Sequence, residues 1–137
     1  MPVYSLTTPA TLSDHKKQQL VDLFTDAHCG IMVAPEQFVH ILFMDGVPIF
    51  DNKALYVHAN VRAGRNDGTI EQLKKTVIAG AAKILEVDAS RIHINLLEIQ
   101  AKWVMEGGYV MPDPGEEDAW MEKVTQALEE RETASAK

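Results

Sequence analysis

The chain has 137 residues, a length typical of one domain, and its 13 basic and 20 acidic side chains give a net charge of −7. This charge argues against nucleic acid or an anionic membrane as a partner, because both require a basic protein surface. The single cysteine, Cys29, excludes a disulfide framework and a zinc site built from several thiolates. The first residues lack the basic and apolar segments of a secretory signal, and no apolar run is long enough to span a bilayer, so we expect a cytoplasmic protein.

The first half of the chain, residues 2–46, is predicted to form a β-α-β unit. A short extended segment precedes a helix whose apolar residues recur with helical spacing after a candidate N-cap at Ser13 or Asp14. Pro35 ends this helix, because the residue before a proline avoids the helical conformation. The apolar run 38–44 then predicts a strand.

The second half, residues 54–99, repeats this plan. Residues 55–62 alternate between apolar and polar side chains, as a half-buried strand does, and a glycine-bearing turn leads into a second amphipathic helix. Residues 91–99 predict the fourth strand. Two β-α-β units with right-handed crossovers predict an α/β fold in which a four-stranded sheet carries both helices on one face.

The tail, residues 100–137, is predicted to contain a loop, a proline-containing turn and a C-terminal helix from Glu116 to about Glu130. We expect it to belong to one domain spanning residues 1–137.

One face of the predicted sheet has no helix of the doubled unit to cover it. On the third strand this face carries the positions that alternate with the apolar ones. They are Tyr56, His58, Asn60 and Arg62. A mixed face of this kind either meets water or is buried against other subunits with its polar groups paired. We favour burial and therefore expect an oligomer.

Pro2 directly follows the initiator methionine. Removal of Met1, which a small second residue generally permits, would leave proline with a free secondary amine that can act as a base or an acid. The alternative is that Pro2 simply begins an edge strand, where its missing N–H costs nothing. If Met1 is retained, the proline nitrogen is an amide and cannot act as a base.

Arg62 and Arg65 flank the turn between the third strand and the second helix. Two guanidinium groups at one place suit a small carboxylate, which accepts paired hydrogen bonds, and the adjacent helix N-terminus also attracts anions. The alternative is a solvated pair on a surface turn.

His28 in the first helix and Glu106 in the tail are weaker candidates. A lone helical histidine is commonly packed or exposed, and a loop glutamate commonly lies in water. The five histidines show no metal-ligand spacing, so we expect no metal. The chemistry of these candidate residues does not imply a cofactor.

Taken together, these features resemble the tautomerase superfamily, and within it the cis-3-chloroacrylic acid dehalogenase family. The resemblance covers nearly the whole chain and rests on the proline start, the doubled β-α-β plan and several short segments. These segments are residues 25–28, residues 61–65, Glu98-Ile99, Glu106, Pro114-Gly115 and Trp120. The resemblance implies a homotrimer, which agrees with the uncovered sheet face.

The resemblance also implies a role for each candidate residue. Pro2 would act as the proton shuttle, and Glu106 would help to activate water. Arg62 and Arg65 would bind the substrate carboxylate, with assistance from His28.

The fourth strand departs from the dehalogenase pattern. Asn95 stands where those enzymes carry a water-activating tyrosine, and an amide cannot exchange a proton near neutral pH. Residues 91–95 instead resemble the corresponding strand of macrophage migration inhibitory factor, a phenylpyruvate tautomerase relative in which asparagine contacts substrate. This departure favours tautomerisation over hydrolytic dehalogenation.

We therefore predict a tautomerase that interconverts the enol and keto forms of a 2-hydroxyalkenoate or arylenolpyruvate-type acid, with hydratase or dehalogenase side activity. A tautomerase needs Pro2 as a neutral base, which burial and the arginines favour. A cis-3-haloacrylic acid dehalogenase or acetylenic-acid hydratase needs Pro2 protonated, which nearby Glu106 favours, and this is the first alternative. The second alternative is a non-catalytic interaction module.

Overall fold

The computed structural model describes residues 2–136. The chain divides into two compact units, the first ending at Glu98 and the second beginning at Ile99. The single domain spanning residues 1–137 stays a prediction. None of the described helices is long and apolar enough to cross a membrane.

The two β-α-β halves contain four strands and two long helices. They are β1 (Val3–Thr8), α1 (Asp14–Met32), β2 (His40–Asp45), β3 (Leu55–Arg62), α2 (Asp67–Leu85) and β4 (Ile92–Ile99). Short 3₁₀ helices at Glu36–Phe38 and Ala89–Arg91 precede β2 and β4, so these strands begin one or two residues later than predicted.

The four strands form one mixed sheet in the order β2-β1-β3-β4. β1 is parallel to β2 and antiparallel to β3. The N–H of Ala54 donates to the carbonyl of Arg91 at 2.8 Å, so β3 and β4 begin side by side and run in the same direction. This topology confirms the doubled β-α-β fold.

The core lies between the sheet and the two helices. Every second residue of β1 and β3 is buried toward α1 and α2, as the alternation on β3 predicts. The largest fully buried side chains are Tyr4, Phe24, Leu6, Leu20, Leu55 and Leu73. The helices pack closely at Gly80, where an added Cβ would overlap the side chain of Leu23. Both helices therefore cover the same sheet face.

The helix ends follow from local chemistry. The Ser13 side chain accepts a hydrogen bond from the N–H of Lys16 at 3.2 Å, which confirms the first of the two predicted N-caps. Asn66 caps α2 in the same way, accepting from the N–H of Thr69 at 2.8 Å. α1 ends at Met32, just before the predicted proline stop.

The second unit contains a short hairpin and a third helix. β5 (Met105–Glu106) pairs with antiparallel β6 (Tyr109–Val110), and α3 covers Glu117–Ser135. Gly107 and Gly108 form the turn with φ values of +58° and +88°, which glycine adopts without strain. The predicted loop therefore holds a hairpin, and α3 extends well past its predicted end because no proline or glycine follows Glu130.

Candidate active site

Four element ends lie together at one corner of the first unit. They are the amino ends of β1 and β2 and the carboxyl ends of β3 and α1. Val3, the first residue of β1, pairs with both β2 and β3. The N–H of His40 donates to the carbonyl of Pro2 at 2.9 Å. Arg65 Nη2 donates to the carbonyl of Met32 at 3.2 Å, which ties the turn after β3 to the last residue of α1.

Pro2 is buried at this corner. Val3 pairs with Asn60, so continuing the antiparallel register places Pro2 opposite Val61 and beside Arg62. The fate of Met1 lies outside the described residues. A free amine on Pro2 therefore stays a prediction.

The two arginines are both half-buried near the corner. Arg62 is the last residue of β3, and the chain turns at Gly64, whose φ of +108° suits glycine. The bond from Arg65 to Met32 places a cation at the negative end of the α1 dipole. The fold thus places Arg62 at the end of the strand that pairs with β1, and Arg65 at the end of α1, at the same corner as Pro2. Their role in binding a carboxylate stays a prediction.

His28 lies inside the same corner, with only 3% of its surface exposed. Its Nδ1 atom is 2.6 Å from the hydroxyl oxygen of Tyr4. The pKa of His28 is lowered to about 4, mainly because burial disfavours its charged form and in smaller part because of the charge of Arg65. His28 is therefore neutral at physiological pH.

Sequence reasoning missed Tyr4, which is fully buried on the helix-facing side of β1. Burial raises the pKa of its phenol, so the hydroxyl keeps its proton and can donate to His28. One signal was available in the sequence: a tyrosine at a core position of a strand needs a hydrogen-bond partner for its hydroxyl. The identity of that partner, 24 residues away, was not visible.

Asn95 lies apart from this corner. The ring of His93 stacks on Tyr56 with centroids 4.5 Å apart, which places His93 on the sheet face that points away from the helices. Asn95 follows two residues later and shares that outward face. β4 is also an edge strand, separated from β1 by β3. The role of Asn95 in binding substrate stays a prediction.

Glu106 belongs to the second unit, where it pairs with Tyr109 across the glycine turn. Trp120 Nε1 on α3 donates to the carbonyl of Val110 at 2.6 Å. The guanidinium of Arg131 lies 5.6 Å from the centroid of the Tyr109 ring. α3 therefore supports the hairpin that carries Glu106. The predicted role of Glu106 in activating water is not tested by these contacts.

Solved structures of other proteins share this fold. N1, a member of the cis-3-chloroacrylic acid dehalogenase family, is 25% identical and superposes with a TM-score of 0.83 over 94% of this chain and 96% of its own. A fused 4-OT described as an asymmetric trimer is 22% identical, with a TM-score of 0.70 over 79% of this chain and 94% of its own. Leishmania major MIF2 is 20% identical, with a TM-score of 0.69 over 79% and 95%.

Neither a family model nor a curated protein matches the sequence. The likeness to N1 nevertheless extends over almost the full length of both chains, whereas the other two structures share the fold at lower identity. The predicted resemblance is thus confirmed: this chain has the fold of tautomerase-superfamily proteins, and N1, a member of the cis-3-chloroacrylic acid dehalogenase family, is among the structures that it resembles.

Proposed function

We propose that this protein is a tautomerase which interconverts the enol and keto forms of a 2-hydroxyalkenoate or arylenolpyruvate-type acid. The supporting observation is the convergence of Pro2, His28 and two arginines at one corner of an acidic chain. A small carboxylate would be attracted there by local charge despite the net charge of −7. The likeness to N1 supports an enzyme of this superfamily.

The proposed reaction needs one group that both accepts and returns a proton. Arg62 and Arg65 would hold the carboxylate through paired hydrogen bonds. The amine of Pro2, freed by loss of Met1, would take the proton from the enol hydroxyl. As the oxygen lone pair forms the carbonyl, the electrons of the carbon–carbon double bond would take that proton back at carbon 3. Burial of Pro2 and the nearby charge of Arg65 favour the neutral amine that this sequence requires.

We also propose that the functional form is a homotrimer. The outward sheet face exposes Leu42, Met44 and Leu97, each about half accessible. Asn95 shares this face, so in a trimer it would contribute to a site on a neighbouring subunit. Light scattering during size-exclusion chromatography should give three times the chain mass of 15.2 kDa. A monomer at micromolar concentration would contradict the trimer.

The decisive experiment is a pH–rate profile for a 2-hydroxyalkenoate with the wild type and Pro2→Ala. We expect the rate to rise with pH through a single ionisation, and Pro2→Ala to lose about 100-fold or more, as removal of a general base does. Intact mass spectra should show that Met1 is absent from both proteins. Pro9→Ala is a matched control, since Pro9 is exposed. Full activity of Pro2→Ala would overturn the proposal.

A dehalogenase or hydratase is the second candidate, and the ordered position of Glu106 on the hairpin favours it. In this case Pro2 would be protonated and act as an acid at carbon 2, while Glu106 activates water for attack at carbon 3. Glu106→Gln should then slow halide release from a cis-3-haloacrylate, or hydration of an acetylenic acid, by about 100-fold. Glu122→Gln on the exposed side of α3 is the control. If Glu106→Gln leaves every activity unchanged, this candidate fails.

A non-catalytic interaction module is the remaining alternative, and the mass spectrum and the turnover assay distinguish it from an enzyme. Met1 would be retained in the intact mass spectrum, and no enol would be turned over.

A further inference from the structure

The buried contact between Tyr4 and His28 determines which ring nitrogen of the histidine carries the proton. The Tyr4 hydroxyl has no other hydrogen-bond partner among the residues that the structure describes, and a buried O–H left unpaired costs about 1–3 kcal/mol. The hydroxyl therefore donates to Nδ1. A neutral imidazole that accepts at Nδ1 carries its proton on Nε2.

The Nε2–H group of His28 is thus the ring donor that remains available to a ligand. Within residues 2–136 this N–H group has no hydrogen-bond acceptor, and the charge of Arg65 lies close enough to lower the pKa of the ring. A ligand bound to the arginines would therefore lie near this N–H group.

The charge state of His28 indicates which ligand oxygen suits it. Two guanidinium groups already match the charge and geometry of a carboxylate. A neutral N–H is better matched to an oxygen of lower charge, such as a carbonyl or an enol hydroxyl. In a 2-oxo acid this oxygen is bonded to the carbon next to the carboxylate, and it gains partial negative charge only in the enolate-like transition state between the keto and enol forms.

We propose that Tyr4 is a positioning residue which holds His28 as a neutral Nε2–H donor to the oxygen on carbon 2 of the substrate. The site therefore selects 2-oxo acids and their enols over acids that lack this oxygen. This inference rests on the proposed function, and it moves His28 from carboxylate binding to recognition of the adjacent oxygen.

The first test measures binding without turnover. Calorimetric titration with 2-oxobutanoate and with butanoate should show that the wild type prefers the oxo acid by about tenfold or more. Tyr4→Phe should lose most of this preference and keep its affinity for butanoate within about twofold. Tyr56→Phe is the matched control, because Tyr56 lies on the outward face. The proposal fails if the wild type shows no preference, or if Tyr4→Phe keeps it or weakens both acids equally.

The second test reads the proton directly. Long-range ¹H–¹⁵N NMR of the wild type at neutral pH should show His28 with Nε2 protonated and Nδ1 bare, and Tyr4→Phe should show a mixture of tautomers. A His28 protonated on Nδ1 in the wild type would overturn the proposal even if Tyr4→Phe were too unstable to study.

Pro2→Ala separates this inference from the proposed function. It should lower turnover by about 100-fold or more and leave the preference for 2-oxobutanoate intact, because the proline amine is not the selecting group. An active Pro2→Ala protein with an intact preference would overturn the tautomerase mechanism alone. An inactive protein that has also lost the preference would overturn the assignment of selectivity to Tyr4 and His28.

Discussion

α1, α2 and α3 are each 19 residues long, but they differ sharply in burial. α1 buries Phe24 and His28 and α2 buries Leu73, whereas α3, all of which lies within the described residues, has no fully buried residue. The apolar residues of α3 do recur with helical spacing. Periodicity therefore predicts a helix, but burial also requires a second apolar surface, which the sheet supplies to α1 and α2.

This difference bears on the candidate catalytic groups. His28 is held by a packed core, and Arg65 is bonded to the end of the same helix. Glu106 instead depends on a two-residue strand whose support includes the hydrogen bond from Trp120 on α3. His28 and Arg65 are therefore held by a long packed helix, whereas Glu106 is carried by a short hairpin. Substitutions in the two regions should have effects of different size.

The largest effect is expected for the core side of α1. Phe24→Ala removes a fully buried ring and should lower the free energy of unfolding by about 3–5 kcal/mol. Leu128→Ala on α3, where Leu128 is 47% exposed, should change it by less than about 1 kcal/mol. Urea denaturation at low protein concentration measures both values. Equal losses for the two variants at every protein concentration would contradict the contrast between the helices.

An acid titration should show the next largest effect, at His28. The pKa of His28 is about 4 in the folded protein, whereas an unperturbed histidine has a pKa of 6.5. The unfolded chain therefore binds the proton more readily than the folded protein does. The stabilisation is complete above the unfolded value and is lost as pH falls toward about 4, a total of about 3 kcal/mol. Unfolding of the wild type and His28→Gln should therefore diverge in pH dependence over this range.

His15→Gln provides the control, because His15 lies exposed on the same helix. It should follow the wild type throughout. Parallel pH dependences for the wild type and His28→Gln would contradict the burial of a neutral histidine at the corner.

The smallest effect is expected in the hairpin. Trp120→Phe removes the hydrogen bond to Val110 and should cost about 1 kcal/mol of local stability. Amides of β5 and β6 should then exchange with deuterium about fivefold faster, while those of β1 and β3 stay unchanged. Trp103→Phe, at a largely exposed tryptophan, serves as the control. Faster exchange across the whole chain would show that α3 stabilises more than its hairpin.

The strands and helices could be predicted wherever a long periodic pattern was present. β3 begins at Leu55 and ends at Arg62, as its alternation predicted, and the Ser13 cap was found by residue type and position. The β5–β6 hairpin was missed, because two-residue strands are too short to show alternation. Local patterns could therefore predict only elements longer than about one period.

The candidate site was only partly predictable for a related reason. Arg62 and Arg65 stood out because they flank a strand end, and the fold brings both to the corner of Pro2. The bond between Tyr4 and His28 joins residues 24 positions apart, so no local pattern reports it.

The sequence by itself determined the order of the elements, the sheet face that is buried and the residues available for acid, base and carboxylate chemistry. These properties depend on side-chain type and on near neighbours in the chain. Tertiary structure alone decided that His28 is neutral and bonded to Tyr4 and that no residue of α3 is fully buried. Each of these depends on desolvation or on a contact between distant residues, and both arise only when the chain has packed.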